Sequence, residues 1–395
     1  MDRRKFLKSS SLASTMLLVP SFVKALESVA TERLGYKRLV IVQLAGGNDG
    51  LNTIIPHNND IYYNSRPRLA INQDIIKLND DLGFHPSLAP LRPLFDNGEL
   101  SILNNVGYPN PVRSHFRSMD IWQTASGSDE YLQSGWLGRY MDLHGKKPYN
   151  AMEMDEQLSL AMKGEHFNGL ATNDYRVLYN TSKDPYFNNV VNHYNDAHLS
   201  EHNLGYLYQT MIEAKSSAKY IYENTKINLS QEDYPQNLFA RQLKNVAQFI
   251  NSGLETKVFY TSLGGFDTHA NQPNRQKRLL SQYADSVSAF VKDLKRNESF
   301  EDTLIFTFSE FGRRVKQNAA NGTDHGAANN IFIIGKNLKS AGFYNNLASL
   351  KDLDDNGDIK FEIDFRQVYA TILKSWMGVS TEGIIASPQQ SLNFI

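Results

Sequence analysis

The chain has 395 residues, 41% of them hydrophobic, with a formal net charge of −1. That is enough apolar material for a large core and too little positive charge for the basic stripe of a nucleic-acid binder. No stretch predicts a transmembrane helix in the mature chain, and cysteine is absent, so packing or a metal has to brace the fold in place of disulfides.

The first 27 residues read MDRRKFLKSSSLASTMLLVPSFVKALE. Arg3-Arg4 precede a weakly apolar stretch, Leu12 to Val23, and then the small Ala25. Basic, apolar and small-residue parts in that order predict a twin-arginine export signal over residues 1–26, cleaved after Ala25. The plainer alternative is a basic start to an ordinary helix. On the export reading the chain meets the twin-arginine machinery, and residues 27–395 work as a periplasmic or secreted domain.

Lys37 to Leu44, KRLVIVQL, predicts a buried strand that runs into Ala45-Gly46-Gly47-Asn48-Asp49-Gly50. The paired glycines permit a tight turn and leave space above the strand, into which Asp49 points as a candidate ligand. A phosphate loop is excluded, because no Gly-Lys-Ser/Thr follows and the spacing is not G-x-G-x-x-G. An Asn-Asp-Gly turn is the bland reading.

His85 to Leu103 predicts an amphipathic helix and then a strand. Pro109 and Pro111 lead to Arg113-Ser114-His115-Phe116, the start of a helix running to about Thr124. Ser114 is placed to N-cap that helix, and equally to act as a nucleophile beside the anion-attracting helix start. The middle, about residues 128–233, lacks strand-to-helix repeats and predicts an insertion or cap; the irregular spacing of His193, His198 and His202 favours a solvated surface over a metal site.

Val258 to Ser262 predicts a second strand, ending in Gly264-Gly265-Phe266-Asp267-Thr268-His269, where Asp267 and His269 alternate onto one side of an extended segment. A helix follows over about Gln276 to Arg296, with Leu279, Leu280, Tyr283, Val287, Phe290, Val291 and Leu294 on its buried face. Thr303 to Phe308 is a third strand, stopping at Ser309-Glu310-Phe311-Gly312. Gly322-Thr323-Asp324-His325-Gly326 precedes another apolar run, Ile331 to Ile334. Arg313 and Arg314 open the segment after that strand, and their bland reading is plain solvation. Asp49, Ser114, Asp267, His269, Glu310, Asp324 and His325 are thereby expected together at the carboxyl edge of a mostly parallel sheet, where open α/β folds bind ligands. Their types suit one or two divalent metal ions. Asp352 to Asp358 mimics the start of an EF-hand, but Ile363 stands where the bidentate acid belongs, so a hairpin turn at Asp355-Asn356-Gly357 is expected. A helix from about Phe365 to Met377 closes the chain.

The ordered motifs GGNDGLN, RSHF, GWLGRY, GGFDTH, SEFGR and GTDHG span nearly the whole mature chain. Together they resemble a large family of exported bacterial proteins in the alkaline phosphatase and sulfatase superfamily. The resemblance implies a three-layer α/β/α sandwich with two divalent metals beside a Ser, Thr or modified Cys nucleophile. It implies Ser114 as nucleophile and Asp49, Asp267, His269, Glu310, Asp324 and His325 as ligands, acting on an anionic phosphate or sulfate ester, with His115, Arg113 and Arg313 as candidates for binding its anionic oxygens or moving a proton. Phe311 stands where the superfamily carries a histidine. That departure keeps a second class open: an exported binding or assembly protein on the same fold without turnover.

Overall fold

The computed structural model describes residues 36–192, 203–225, 230–385 and 389–395. The expected export signal and His193, His198 and His202 lie outside these residues. Lys37–Ile395 forms one compact unit around a nine-stranded sheet. Its strands are β1 (Arg38–Ala45), β2 (Leu100–Gly107), β3 (Ala151–Glu153), β4 (Leu170–Ala171), β5 (Val258–Gly264), β6 (Thr303–Phe308), β7 (Asn329–Ile334), β8 (Gly342–Phe343) and β9 (Ile363–Asp364). Their order is β8-β2-β7-β6-β1-β5-β3-β4, with β9 also beside β2.

The most apolar strand is central: β1 pairs in parallel with β5, Leu39 opposite Val258, and with β6, Leu39 opposite Leu304. Only β7 runs against its neighbours, antiparallel to β2 and β6. This reversal has a consequence for function. A segment preceding an antiparallel strand starts at the same edge where a parallel neighbour ends, so Asp324 and His325, ahead of β7, meet Glu310, after β6.

Side chains alternate across the sheet and feed two apolar clusters. Val40, Val42 and Leu44 pack with Leu243, Val246 and Phe249 of a helix at Leu238–Asn251 and with Leu280, Tyr283, Val287 and Phe290 of another at Gln272–Arg296. Leu39 and Ile41 pack with Ile121 and Trp122 of α1 (His115–Thr124), Leu137 and Tyr140 of α2 (Trp136–His144), and Val368 and Tyr369 of a helix at Phe365–Thr371. All seven residues read as the buried face of the 272–296 helix are buried, and that helix begins four residues earlier than its apolar pattern, with Pro273 in its first turn.

Three expectations change. The middle of the chain is not wholly separate from the sheet, because β3 and β4 extend its edge; strands of three and two residues are too short to show a period. His85–Asp96 folds as a 3-10 turn at Pro86–Leu91 and a short helix at Arg92–Asp96, since Pro90 and Pro93 remove amide donors. The last helix passes at Ile372–Trp376 into a π turn. The turn at residues 354–358 does form, bridged at Leu353 and Ile359, with Asp354 Oδ1 accepting from the amides of Asn356 and Asp358, each at 2.9 Å. No helix among the described residues is long and apolar enough to cross a membrane.

Candidate functional site

The ends of β1, β5 and β6 and the approach to β7 meet at one edge, where Gly46 and Gly47 turn the chain with φ of +115° and +74°. A side chain at either would collide: a Cβ at Gly46 would stand 2.4 Å from the Asp267 amide nitrogen, and one at Gly47 would stand 2.2 Å from the Phe311 ring. The space expected above β1 is thus filled by Phe311. Its ring also lies 4.8 Å from that of His115 and 4.6 Å from that of His325, so it forms an apolar wall behind both imidazoles.

His115, Asp267, His269 and His325 converge. Asp267 Oδ1 lies 3.1 Å from His269 Nε2, 3.4 Å from His325 Nε2 and 3.5 Å from His115 Nε2, while the Nε2 atoms of His269 and His325 are 2.8 Å apart. The other nitrogen of each ring faces an acceptor. His325 Nδ1 donates to the Arg113 carbonyl at 2.6 Å, His115 Nδ1 faces Glu310 Oε1 at 3.0 Å, and His269 Nδ1 faces Asp324 Oδ1 at 3.3 Å. A carbonyl can only accept, which puts the proton of a neutral His325 on Nδ1 and leaves its Nε2 bare; His115 and His269 face a carboxylate at both nitrogens, and a cation at Nε2 would put their protons on Nδ1 in the same way. With Nδ1 protonated on all three rings, three nitrogen lone pairs and one carboxylate oxygen would face a shared cation. His115 Nε2 is buried without a hydrogen-bond partner. Four ligands at tetrahedral zinc-type bond lengths stand about 3.3 Å apart, and Asp267 Oδ1 lies 3.1 to 3.5 Å from the three Nε2 atoms. His115, Asp267 and His325 could hold a metal ion, each offering an atom within 4.8 Å of the others, and His269 Nε2 extends the set.

The same contacts set the charges at the site. Burial alone would raise the Asp267 carboxyl, but the Arg313 hydrogen bond and nearby histidines outweigh it and bring it down to about 2. The Glu310 hydrogen bond pushes His115 up, burial pushes His325 down, and the Asn318 amide holds Asp324 below the usual carboxylate range.

Other predicted residues are employed elsewhere. Asp49 is buried, with Oδ2 in an ion pair with Arg66 at 2.6 Å and accepting from Gln272, while Oδ1 has no hydrogen-bond partner among the described residues. Glu310, fully buried, accepts from the Gly46 amide at 2.8 Å and reaches the cluster through His115. The Arg113 guanidinium is bound by Asp358 and Asp354, which leaves its carbonyl as its contribution to the site. Arg313 is neither solvated nor open to a ligand: fully buried, it donates to the carbonyls of Gly46, Gly47, Phe266 and Thr323 and to Asp267 Oδ1, tying three loops together. Arg314 is partly exposed, near Asp358 Oδ1 at 3.7 Å. Ser114 occupies the N-cap position of α1 but makes no side-chain cap bond, and it is exposed. Arg66 and Asn318, which bonds both Asp324 and the His269 carbonyl, went unread in the sequence because neither lies in a patterned segment.

Fold and site together define a mixed α/β protein with a histidine–aspartate cluster at the carboxyl edge of a mostly parallel sheet. The chain belongs to the family described as "Protein of unknown function (DUF1501)", whose pattern matches residues 36–387. No curated protein matches it. Among solved structures it is similar to the lipoteichoic acid synthase LtaP from Listeria monocytogenes, at 12% identity and a TM-score of 0.39 over 90% of this chain and 78% of that one. It is also similar to the PsFucS1 sulfatase from Pseudoalteromonas sp., at 10% and 0.39 over 90% and 70%. A third is the phosphonate monoester hydrolase SpPMH from Silicibacter pomeroyi, at 9% and 0.40 over 91% and 76%. At such identities no activity passes from those proteins to this chain.

Proposed function

We propose that His115, Asp267, His269 and His325 hold one divalent metal ion, and that the chain is an exported hydrolase of phosphate or sulfate esters built as a three-layer α/β/α sandwich. The observation that carries the metal is the convergence of three Nε2 atoms on Asp267 Oδ1 while each Nδ1 faces an acceptor. The ester class is supported by the motif order from GGNDGLN to GTDHG, and export by Arg3-Arg4 and the segment that follows.

A bound divalent ion supplies a Lewis acid for an ester oxygen and acidifies a neighbouring hydroxyl. The chain's own residues do the rest. Glu310, Asp324 and the Arg113 carbonyl hold the three imidazoles in the tautomer that leaves Nε2 bare, and Arg313 fixes Asp267. Ser114, between the residue that holds His325 and the residue that joins the cluster, attacks phosphorus or sulfur through Oγ, its proton passing through solvent to the leaving oxygen as the ester bond breaks, and water then cleaves the serine ester to release phosphate or sulfate. The first amides of α1 attract the remaining anionic oxygens.

Metal content before and after chelation, measured alongside phosphate- and sulfate-ester hydrolysis, tests this reading. About one equivalent of metal is expected. Ser114→Ala should keep the metal and lose hydrolysis, whereas His325→Ala should lose both. Metal-free protein from a metal-supplemented preparation would sink the proposal, and a Ser114→Ala variant that keeps most of its rate would move the attack to water. One observation favours a second reading, a binding protein without turnover: the guanidinium groups of Arg113 and Arg313 are both committed within the protein. Full metal occupancy with no hydrolysis of either ester class would decide for it.

A further inference from the structure

We infer that Asp358 is a positioning residue for His325: by holding the arginines at 113 and 314 it fixes the two backbone segments that aim this imidazole. The role deepens the metal-site reading and rests on it for its purpose, though the first arm of its test needs no metal.

His325 Nδ1 donates to the Arg113 carbonyl at 2.6 Å, so the direction of that carbonyl sets the direction of the ring. Local structure does not set it. Residues 108–114 are neither helix nor strand, and Ser114 makes no side-chain cap bond that would tie Arg113 to the start of α1. The Arg113 side chain supplies the constraint instead. Its Nε donates to Asp358 Oδ2 at 2.7 Å, its Nη2 donates to the same oxygen, and Nη2 also meets Asp354 Oδ2 at 3.0 Å. A guanidinium is a rigid plane, and two of its donors on one oxygen of a carboxylate that is 0% exposed leave Arg113 little freedom to turn.

The other carboxylate oxygen reaches the second segment. Asp358 Oδ1 stands within ion-pair range of Arg314 Nε, at 3.7 Å, and the Arg314 amide donates to the Asp324 carbonyl at 3.1 Å. Asp324 directly precedes His325, and its own carboxylate faces His269 Nδ1. One buried carboxylate thus lies between the segment that accepts the His325 proton and the segment that carries His325.

The hairpin does not need that carboxylate for itself. Its turn closes through Asp354 Oδ1, which accepts from the Asn356 and Asp358 amides, and through the Leu353–Ile359 bridge. Nor is a buried ion pair a strong source of stability, because desolvation offsets much of the attraction. Fixed geometry is what remains for it to contribute.

NMR of metal-stripped protein carrying 15N-labelled histidine, at about pH 8 so that the rings are neutral, tests this through the tautomer of His325, whose signal is the one lost in His325→Gln. In the wild type the proton should sit on Nδ1. Asp358→Ala should give a mixture of Nδ1–H and Nε2–H forms, and in a zinc titration against a chelator it should bind metal about tenfold more weakly. Asp358→Asn, which keeps an oxygen toward Arg113, should keep most of both properties. A merely structural Asp358 would lower the melting temperature and leave the tautomer in place. If Asp358→Ala does not fold, Arg113→Met with Asp358→Leu removes both charges together and should show the same mixed tautomer. Wild-type protein that takes up no zinc would sink the metal reading and still leave the tautomer to decide the role of Asp358. A wild-type ring protonated on Nε2, or a ring that stays wholly Nδ1–H once the Asp358 carboxylate is gone, overturns the inference.

Discussion

Asp49→Asn separates a structural carboxylate from a metal ligand. In the folded chain Asp49 Oδ2 meets Arg66 Nη1 at 2.6 Å with the two side chains 1% and 0% exposed. The other partners of Arg66 are neutral: the carbonyls of Val315 and Arg314, each at 2.8 Å, and Asn52 Oδ1 at 3.0 Å. Removing the aspartate charge leaves a buried guanidinium uncompensated, a change that costs about 3–5 kcal/mol in comparable pairs. The assay is urea unfolding of metal-stripped protein, compared by linear extrapolation, with metal content of the untreated variant measured in parallel. We expect a loss of that size with metal content unchanged. Asp49→Leu combined with Arg66→Met should be far less destabilised than the sum of the single changes, because both buried charges go together. A loss under about 1 kcal/mol accompanied by loss of metal would refute this reasoning and return Asp49 to the ligand set.

Glu310→Gln keeps the side-chain volume but replaces the carboxylate facing His115 Nδ1, so metal affinity should fall about 10- to 100-fold in a chelator competition, with secondary structure retained. Burial pushes the Glu153 carboxyl up to about 7 from its ordinary 4.5. A folded value above the unfolded one means that its stabilising effect is full below pH 4.5 and lost as pH rises through 7, a swing of about 3 kcal/mol. Unfolding free energies measured from pH 4 to 8 should show that fall in the wild type and lack it in Glu153→Gln. Gly47→Ala places a methyl group against Phe311 at a positive φ, and should lower the melting temperature and weaken metal binding together, because Phe311 backs two of the histidines.

Much of the framework is written locally. The runs that became β1, β5 and β6 are continuous apolar segments, the 272–296 helix shows its buried face by spacing alone, and each strand end is marked by an abrupt change to glycine and acidic residues. These features depend on near neighbours, which a linear pattern records. What each polar group does there was decided by tertiary structure. Asp49 and Glu310 read alike as carboxylates at strand ends, yet one neutralises Arg66 and the other holds His115 across 195 positions of sequence. Arg113 read as a free anion binder until the fold brought it Asp358, 245 positions away, and gave its carbonyl to His325. The antiparallel course of β7 likewise set which residues share an edge with Glu310. Residue type fixes what a side chain can donate or accept, but its partner is whichever group folding carries to within about 3 Å, and hydrogen bonds do not extend beyond that reach.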